Sequence, residues 1–198
     1  SNEDKISLSK IKLNNKFEIK NFKSIKIITF LNGIKNNDLQ IEKKNNIIVK
    51  GDVYDAKPFL ESLFQDDDKK NFSKKFSSEV KVNFNNVFTG TNDDVSYFAM
   101  IASINKGSFN KLSLKGNFSE SEIIEMSIYQ TDNETKTLQV ISDRARPFIK
   151  NFDFIEGFED GKLEYESISS KEITNSNLKI TDFKVSKVPA LAKILTLA

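Results

Sequence analysis

The sequence contains no cysteine, no histidine and no tryptophan, and only 7 glycines and 3 prolines among 198 residues. The commonest zinc and copper ligands, thiol nucleophiles and the side chain that titrates near neutral pH are therefore missing. So few glycines make a phosphate-cradling loop difficult to build, and there is no nucleophile elbow, Walker loop or dinucleotide-binding glycine run. The sequence predicts a protein that is not an enzyme and needs no metal or cofactor.

The chain also lacks an excess of charge of one sign. Its 30 basic and 28 acidic residues give a net charge of +2. The two signs alternate along the whole chain, whereas a nucleic-acid binder usually concentrates lysine and arginine in a patch. We therefore expect no nucleic-acid partner.

Long apolar runs are absent. No stretch approaches the roughly 20 apolar residues that a bilayer-spanning helix needs. The longest runs, IKIITFL at 25–31 and YFAMIASI at 97–104, have the length of strands. The chain opens on polar SNEDKIS without a signal peptide, and it ends on VPALAKILTLA, an apolar helical pattern without a cap. We expect it to be part of a longer protein whose remaining chain is a partner.

Alternation of apolar and polar residues dominates the sequence and predicts roughly ten or more antiparallel strands. Short polar segments separate them, namely KKNN at 43–46, NKGS at 105–108 and TDNET at 131–135. Each of these predicts a hairpin turn, and Gly107 would supply the positive φ of the second one. The acidic clusters DDDKK at 66–70 and NDD at 92–94 lack calcium-loop spacing, so we expect solvated turns there.

Three segments interrupt the alternation with helical spacing, at 55–64, 143–152 and 186–195. Each places proline near its first turn, where the amides lack intrahelical partners. Pro58 and Pro147 lie 89 residues apart in the shared pattern x-Ala-basic-Pro-Phe-aliphatic. A single fragment with repeat units 1–64 and 65–152, followed by a truncated unit 153–198, would explain this spacing; chance convergence of two caps is the alternative.

Several strands carry apolar residues at both parities, so two faces need covering. Pattern alone leaves a closed sandwich core and an open groove equally plausible. For a groove, we predict that the lining is one parity of the central strands; the other parity is the rival, because a one-residue slip exchanges the faces. The predicted lining residues are Val80, Val82, Phe84, Phe98, Met100, Ile104, Leu112, Leu114, Ile124, Met126, Ile128, Leu138 and Val140.

Two segments resemble a known family, namely ISDRARPFIKNFDFIEGFEDGK at 141–162 and NLKITDFKVSKVPALAKILTLA at 177–198. They are similar to the C-terminal region of AsmA-like (YhdP/TamB-type) bacterial envelope proteins. VKGDVYDAKPFLESL at 49–63 resembles the family's upstream strand–helix unit. The chain departs from the family pattern at 158–160, where paired glycines are common, and at 144–146. The residues of the last segment that match the family pattern are Asp182, Phe183, Val185, Pro189, Leu191, Ala192, Ile194, Leu195 and Ala198.

The resemblance implies a mainly β fold with a few short helices: a long, twisted antiparallel sheet curled into an open groove, with helices capping strand ends. It implies a periplasmic segment of a Gram-negative protein that is anchored in the inner membrane and takes part in outer-membrane biogenesis. The groove would carry phospholipid between the two membranes by contact with the acyl chains. The alternative expectation is a non-catalytic envelope scaffold or protein-binding β domain.

Overall fold

The computed structural model describes residues 3–17, 19–58, 76–130, 134–149, 158–170 and 173–185. The described part is mainly β, and the helix whose bounds it contains, α1 (Arg146–Ile149), is short. The strands are β1 (Lys5–Ser9), β2 (Lys12–Leu13), β3 (Ile19–Asn21), β4 (Ser24–Leu31), β5 (Ile34–Lys43), β6 (Ile47–Asp55), β7 (Ser78–Phe88), β8 (Val95–Asn105), β9 (Ser108–Asn117), β10 (Ile123–Gln130), β11 (Thr135–Ser142), β12 (Phe158–Ser170) and β13 (Ile173–Val185).

Eleven of these strands form one sheet that does not close on itself. From β4 onward its order follows the sequence, β1 pairs with β4, and β2 and β3 form a separate two-stranded sheet. Where a short turn joins two strands, the chain folds back and the second strand pairs with the first. The mainly β prediction is therefore confirmed, while a groove shape and a capping role for the helices stay predictions.

The expectation of a purely antiparallel sheet is wrong at one place, because β6 and β7 run parallel. A parallel neighbour requires the chain to return to the start of the previous strand, which a hairpin turn cannot do. Residues 56–77 make this connection, and Lys57 and Pro58 begin it in helical conformation. The helical segment predicted at 55–64 therefore starts as expected, and the rest of it lies outside the described residues, as does all of 186–195.

The predicted hairpins are confirmed by strand pairing. β5 and β6 meet across KKNN, with Lys43 opposite Ile47. β8 and β9 meet at Lys106 and Gly107, whose φ angles of 49° and 79° are those of a two-residue hairpin loop. β10 and β11 also pair, although residues 131–133 of their turn lie outside the described part. The residues of each turn therefore account for these hairpin connections.

The two x-Ala-basic-Pro segments reach the same local environment. Ala56 and Ala145 are both buried just after a strand, β6 and β11 respectively. The Ala56 amide donates to the carbonyl of Phe88 at 2.9 Å, and the Ala145 amide donates to that of Gly161 at 2.7 Å. In both cases the bond joins the end of one strand to the next strand of the sheet. The division of the chain into repeat units stays a prediction.

Gly51 allows β5, β6 and β7 to approach each other closely. A Cβ built there would lie 2.2 Å from the carbonyl oxygen of Asp38 and 3.0 Å from the Phe84 ring. We expect Gly51→Ala to lower the free energy of unfolding by about 1–3 kcal/mol, because the backbone must shift to make room. Urea denaturation measures this, with Lys81→Ala on the exposed side of β7 as the control. A Gly51→Ala midpoint equal to that of the control would contradict the close approach.

Candidate functional site

One apolar row crosses the whole large sheet. Directly opposed residues of neighbouring strands point to the same side, so the register identifies which side chains share a face. Each strand of the sheet contributes one residue to the row, and each of these residues is aliphatic, methionine or tyrosine. In spatial order the row is Leu8, Ile25, Ile41, Val49, Val82, Met100, Leu114, Met126, Val140, Tyr165 and Leu178.

The register places all of the predicted lining residues on the same face as this row. Val82, Met100, Leu114, Met126 and Val140 belong to the row itself. A parallel line contains Val80, Ala102, Leu112, Ile128 and Leu138. The remaining predicted residues, Phe84, Phe98, Ile104 and Ile124, lie at alternate positions of the same strands. We call this surface the apolar face.

Burial along the apolar face is uneven. Val82 and Val140 are buried, whereas Met100, Leu114 and Met126 between them are only half-buried. At the ends of the row, Leu8 is 44% exposed and Leu178 is 47% exposed. The middle and the ends of the row are thus accessible, which a core sealed between two layers would not allow.

Helix α1 packs on the apolar face near β10–β13. Ala145, which precedes it, and Ile149 are buried in a cluster with Val140 and Leu163. Phe148 contacts this cluster and also the larger one around Phe84. The short helix therefore covers the same face that the sequence assigned to the groove lining. It covers one side of that face, over the last strands of the sheet.

The opposite face is not covered in the same way. Tyr97 is 77% exposed and Ile101 is 56% exposed, although both belong to an apolar run. Their neighbours across the strands are mainly polar, such as Lys81 opposite Ile101. The expectation that both faces of this run need a cover is therefore wrong for the described residues, because the second parity faces solvent.

Asp93 is the centre of a charged cluster that the sequence did not predict. Its side chain is 5% exposed, and it lies in the connection between β7 and β8. Arg146 Nε and Nη2 donate to its two carboxylate oxygens at 2.7 and 3.0 Å. Arg144 Nη1 donates to Oδ1 at 3.0 Å, and the Thr91 hydroxyl donates to Oδ2 at 3.3 Å. The NDD segment, expected to be a solvated turn, thus contains a buried anion.

Arg144 connects this anion to a second carboxylate. Its Nη2 donates to Glu122 Oε2 at 2.6 Å, and its guanidinium lies 5.5 Å from the centre of the Phe118 ring. Such charge-assisted bonds are roughly twice as strong as neutral ones. The hydrogen bond from Arg144 holds the pKa of Glu122 below its ordinary value. The cluster therefore joins the β7–β8 connection, the β9–β10 turn and the start of α1.

A third pair extends the charged region. The Ile123 amide donates to Asp143 at 2.9 Å, and Lys162 lies 3.0 Å from the other oxygen of the same carboxylate. The backbone bond from Ile123, followed by the Lys162 contact, lowers the pKa of Asp143. Together these residues line a cleft of about 400 Å³ with Asp160, Gly161 and Asp182.

The cleft brings basic and acidic side chains together as ion pairs. No three potential metal ligands gather there or elsewhere in the described part of the chain. Its arginines are already paired with carboxylates inside the cluster. We therefore assign the cluster a structural role, which is to hold α1 and its preceding loop at the edge of the apolar face.

This role predicts a dependence of stability on pH. Burial of Asp93 opposes its ionisation, but the bonds from Arg146 and Arg144 outweigh it and lower the pKa of the carboxyl below its ordinary 3.8. Because the folded pKa of Asp93 is lower than the unfolded one, ionisation of this carboxyl stabilises the fold at pH values above 3.8. This stabilisation is lost as the pH falls through 3.8 and then through the lower folded pKa. We expect Asp93→Asn to cost about 1–3 kcal/mol at pH 7 and to reduce the acid dependence of unfolding.

Urea titrations at pH 7, 5 and 3 measure both effects. Glu120→Gln is a matched control, since it removes an exposed carboxylate near the β9–β10 turn without touching the cluster. The structural role would be wrong if Asp93→Asn lost stability with acid as steeply as the unaltered chain.

No protein-family model matches this chain, and neither a curated protein nor a solved structure is significantly similar to it. Among the helical residues that the structure describes, none belongs to a helix long and apolar enough to cross a membrane. The apolar face and the charged cluster beside it are the features from which a function can be inferred.

Proposed function

We propose that this chain is a non-enzymatic segment of an envelope lipid carrier and that its apolar face binds phospholipid acyl chains. The observation that carries the proposal is the row of eleven apolar residues, with one on each strand of the sheet. Its location would be the periplasm, with the inner-membrane anchor in another part of the longer protein. The resemblance to AsmA-like proteins supports the same assignment.

The length of the row favours a track over a pocket. Neighbouring strands are about 4.8 Å apart, so eleven strands span roughly 50 Å. One acyl chain extends about 15 Å, half of the roughly 30 Å hydrocarbon core of a bilayer. The row is thus about three times longer than a single chain. A surface of this kind offers many similar binding positions, one after another across the sheet. No single position needs to bind lipid tightly.

The chemistry of the row suits this task. Each buried methylene contributes about 0.8 kcal/mol wherever it meets an apolar surface. Met100 and Met126 in the centre of the row are unbranched and adapt to irregular partners. Because their side chains are half-buried, they can contact an additional molecule. Head groups would remain in water at the polar ends of the strands.

A protein-binding scaffold is the second candidate, and the edge strand β13 favours it. β13 pairs with β12 on one side, and its 13 residues have no other strand neighbour among the described residues. Ile173 and Phe183 on this strand are 68% and 46% exposed. An open, partly apolar edge is a template for pairing with another chain.

Native mass spectrometry after mild purification separates the two candidates. The lipid carrier predicts co-purified phospholipid whose release leaves a folded protein. The scaffold predicts a lipid-free chain that forms complexes through β13. A lipid-free chain that also fails to take up phospholipid from vesicles would contradict the carrier.

Substitutions at neighbouring positions of β8 test which face binds lipid. Met100→Glu places a charge on the apolar face, and Ile101→Glu is the matched control on the opposite face. We expect Met100→Glu to weaken binding of a fluorescent fatty acid by about tenfold or more. The free energy of a tenfold change is less than that of burying two methylenes, so the loss of a small contact is enough. Circular dichroism must show that both variants fold.

A photo-crosslinking residue at the same two positions gives a result that does not depend on stability. We expect lipid adducts from position 100 and few from position 101. Adducts from position 101 alone, or from neither position in the presence of phospholipid vesicles, would refute the assignment of the lipid-binding face.

A further inference from the structure

Tyr97 adopts a backbone conformation that is unfavourable for an aromatic residue. Its φ is 53° although it lies within strand β8. Asp160 and Asp182 also have positive φ within strands, but aspartate tolerates this region better. The register between β8 and β9 shifts between Ser96 and Ala99, so Tyr97 is the extra residue of a β-bulge. Glycine or asparagine would suit such a position better than tyrosine.

The Tyr97 side chain does not compensate for this strain by burial. It is 77% exposed, so it contributes little to the apolar core. Strained backbone positions cluster at active sites and ligand contacts, and the exposed ring of Tyr97 is accessible to another molecule. The position of Tyr97 therefore points to a ligand.

The surroundings of Tyr97 form a shallow depression of about 540 Å³. It opens on the face opposite the apolar row, because Asn83 pairs with Lys50 and with Ala99 at the parity of that face. Ala99 contributes little side-chain volume, whereas the register directs the side-chain positions of Gly51, Phe84 and Phe98 to the apolar face. The depression is lined by Lys50, Gly51, Asn83, Phe84, Asn85, Tyr97, Phe98 and Ala99.

Neutral amides supply the polar groups of the depression. Asn85 donates from Nδ2 to Asp52 at 2.9 Å, which orients its carbonyl oxygen. The Asn83 side chain has no hydrogen-bond partner within the described residues. Each amide offers two donors and one acceptor oxygen. The charge of Lys50 is neutralised by Glu42 at 2.9 Å.

These groups fit a neutral polyol better than an anion. A sugar ring presents a face of C–H groups to an aromatic ring, and its hydroxyls both donate and accept. Tyr97 offers an apolar ring face with a polar tip, and the two amides match paired hydroxyls. An anionic ligand would need free cations, and the lysine in this depression is already paired.

We propose that the depression beside Tyr97 is a binding site for a neutral oligosaccharide. This site lies on the opposite face from the lipid-binding row, so its failure would leave the lipid proposal unaffected. Tyr97 stacks against a sugar ring, while Asn83 and Asn85 hydrogen-bond to its hydroxyls.

Saturation-transfer NMR with cellotetraose, maltotetraose and chitotetraose tests this site on the complete chain. We expect at least one of the three to bind, Tyr97→Ala to weaken it tenfold or more, and Tyr97→Phe to retain most of the binding. Tyr129→Ala, which alters another exposed tyrosine on β10, is the matched control and should bind as the unaltered chain does. No transfer from any of the three oligosaccharides would overturn the proposal, as would binding that 0.5 M salt abolishes.

A stability measurement tests the premise separately. Because asparagine tolerates positive φ, we expect Tyr97→Asn to raise the thermal midpoint by about 2–4 °C while it removes oligosaccharide binding. A lower midpoint for Tyr97→Asn would mean that the tyrosine serves the fold, and the proposal would be wrong.

Discussion

The cross-strand register is the constraint on which the rest of the structure depends. Side chains alternate between faces with a period of two, so a slip of one residue in any strand would move its apolar residue to solvent. The sheet tolerates irregularities only where they leave this phase intact. β8, for example, has register shifts near Ser96 and near Ile104, yet Met100 between them stays opposite Val82 and Leu114. A bulge therefore changes the ends of a strand without interrupting the row.

Local sequence signals predicted the strand faces well, because alternation is itself a local property. Met100 and Ile101 differ by one position, and the structure places one on the apolar face and leaves the other exposed. Strand direction was not predictable in the same way. Whether β7 runs with or against β6 depends on the path of residues 56–77, and apolar alternation carries no information about that path.

The charged cluster could not be predicted from spacing either. Asp93 binds arginines that are 51 and 53 residues away in sequence. These groups meet because β8, β9, β10 and β11 lie side by side, which returns the chain to the same end of the sheet. Nothing in the segment NDD distinguishes it from a solvated turn. The proline and the apolar spacing of the segment at 143–152 did predict a helix start, and the structure shows that Arg144 and Arg146 in this segment bind Asp93.

The two x-Ala-basic-Pro segments show how one local device can serve two topologies. Ala56 and Ala145 each donate to the next strand of the sheet, although that strand is parallel in the first case and antiparallel in the second. The device marks where each of the two strands ends, and after Ala145 the chain lies over the apolar face. At Ala145, the cluster of Arg144, Arg146 and Asp93 anchors α1, which covers the row around Val140. The half-buried middle of the row and its two exposed ends, at Leu8 and Leu178, then remain accessible to another molecule.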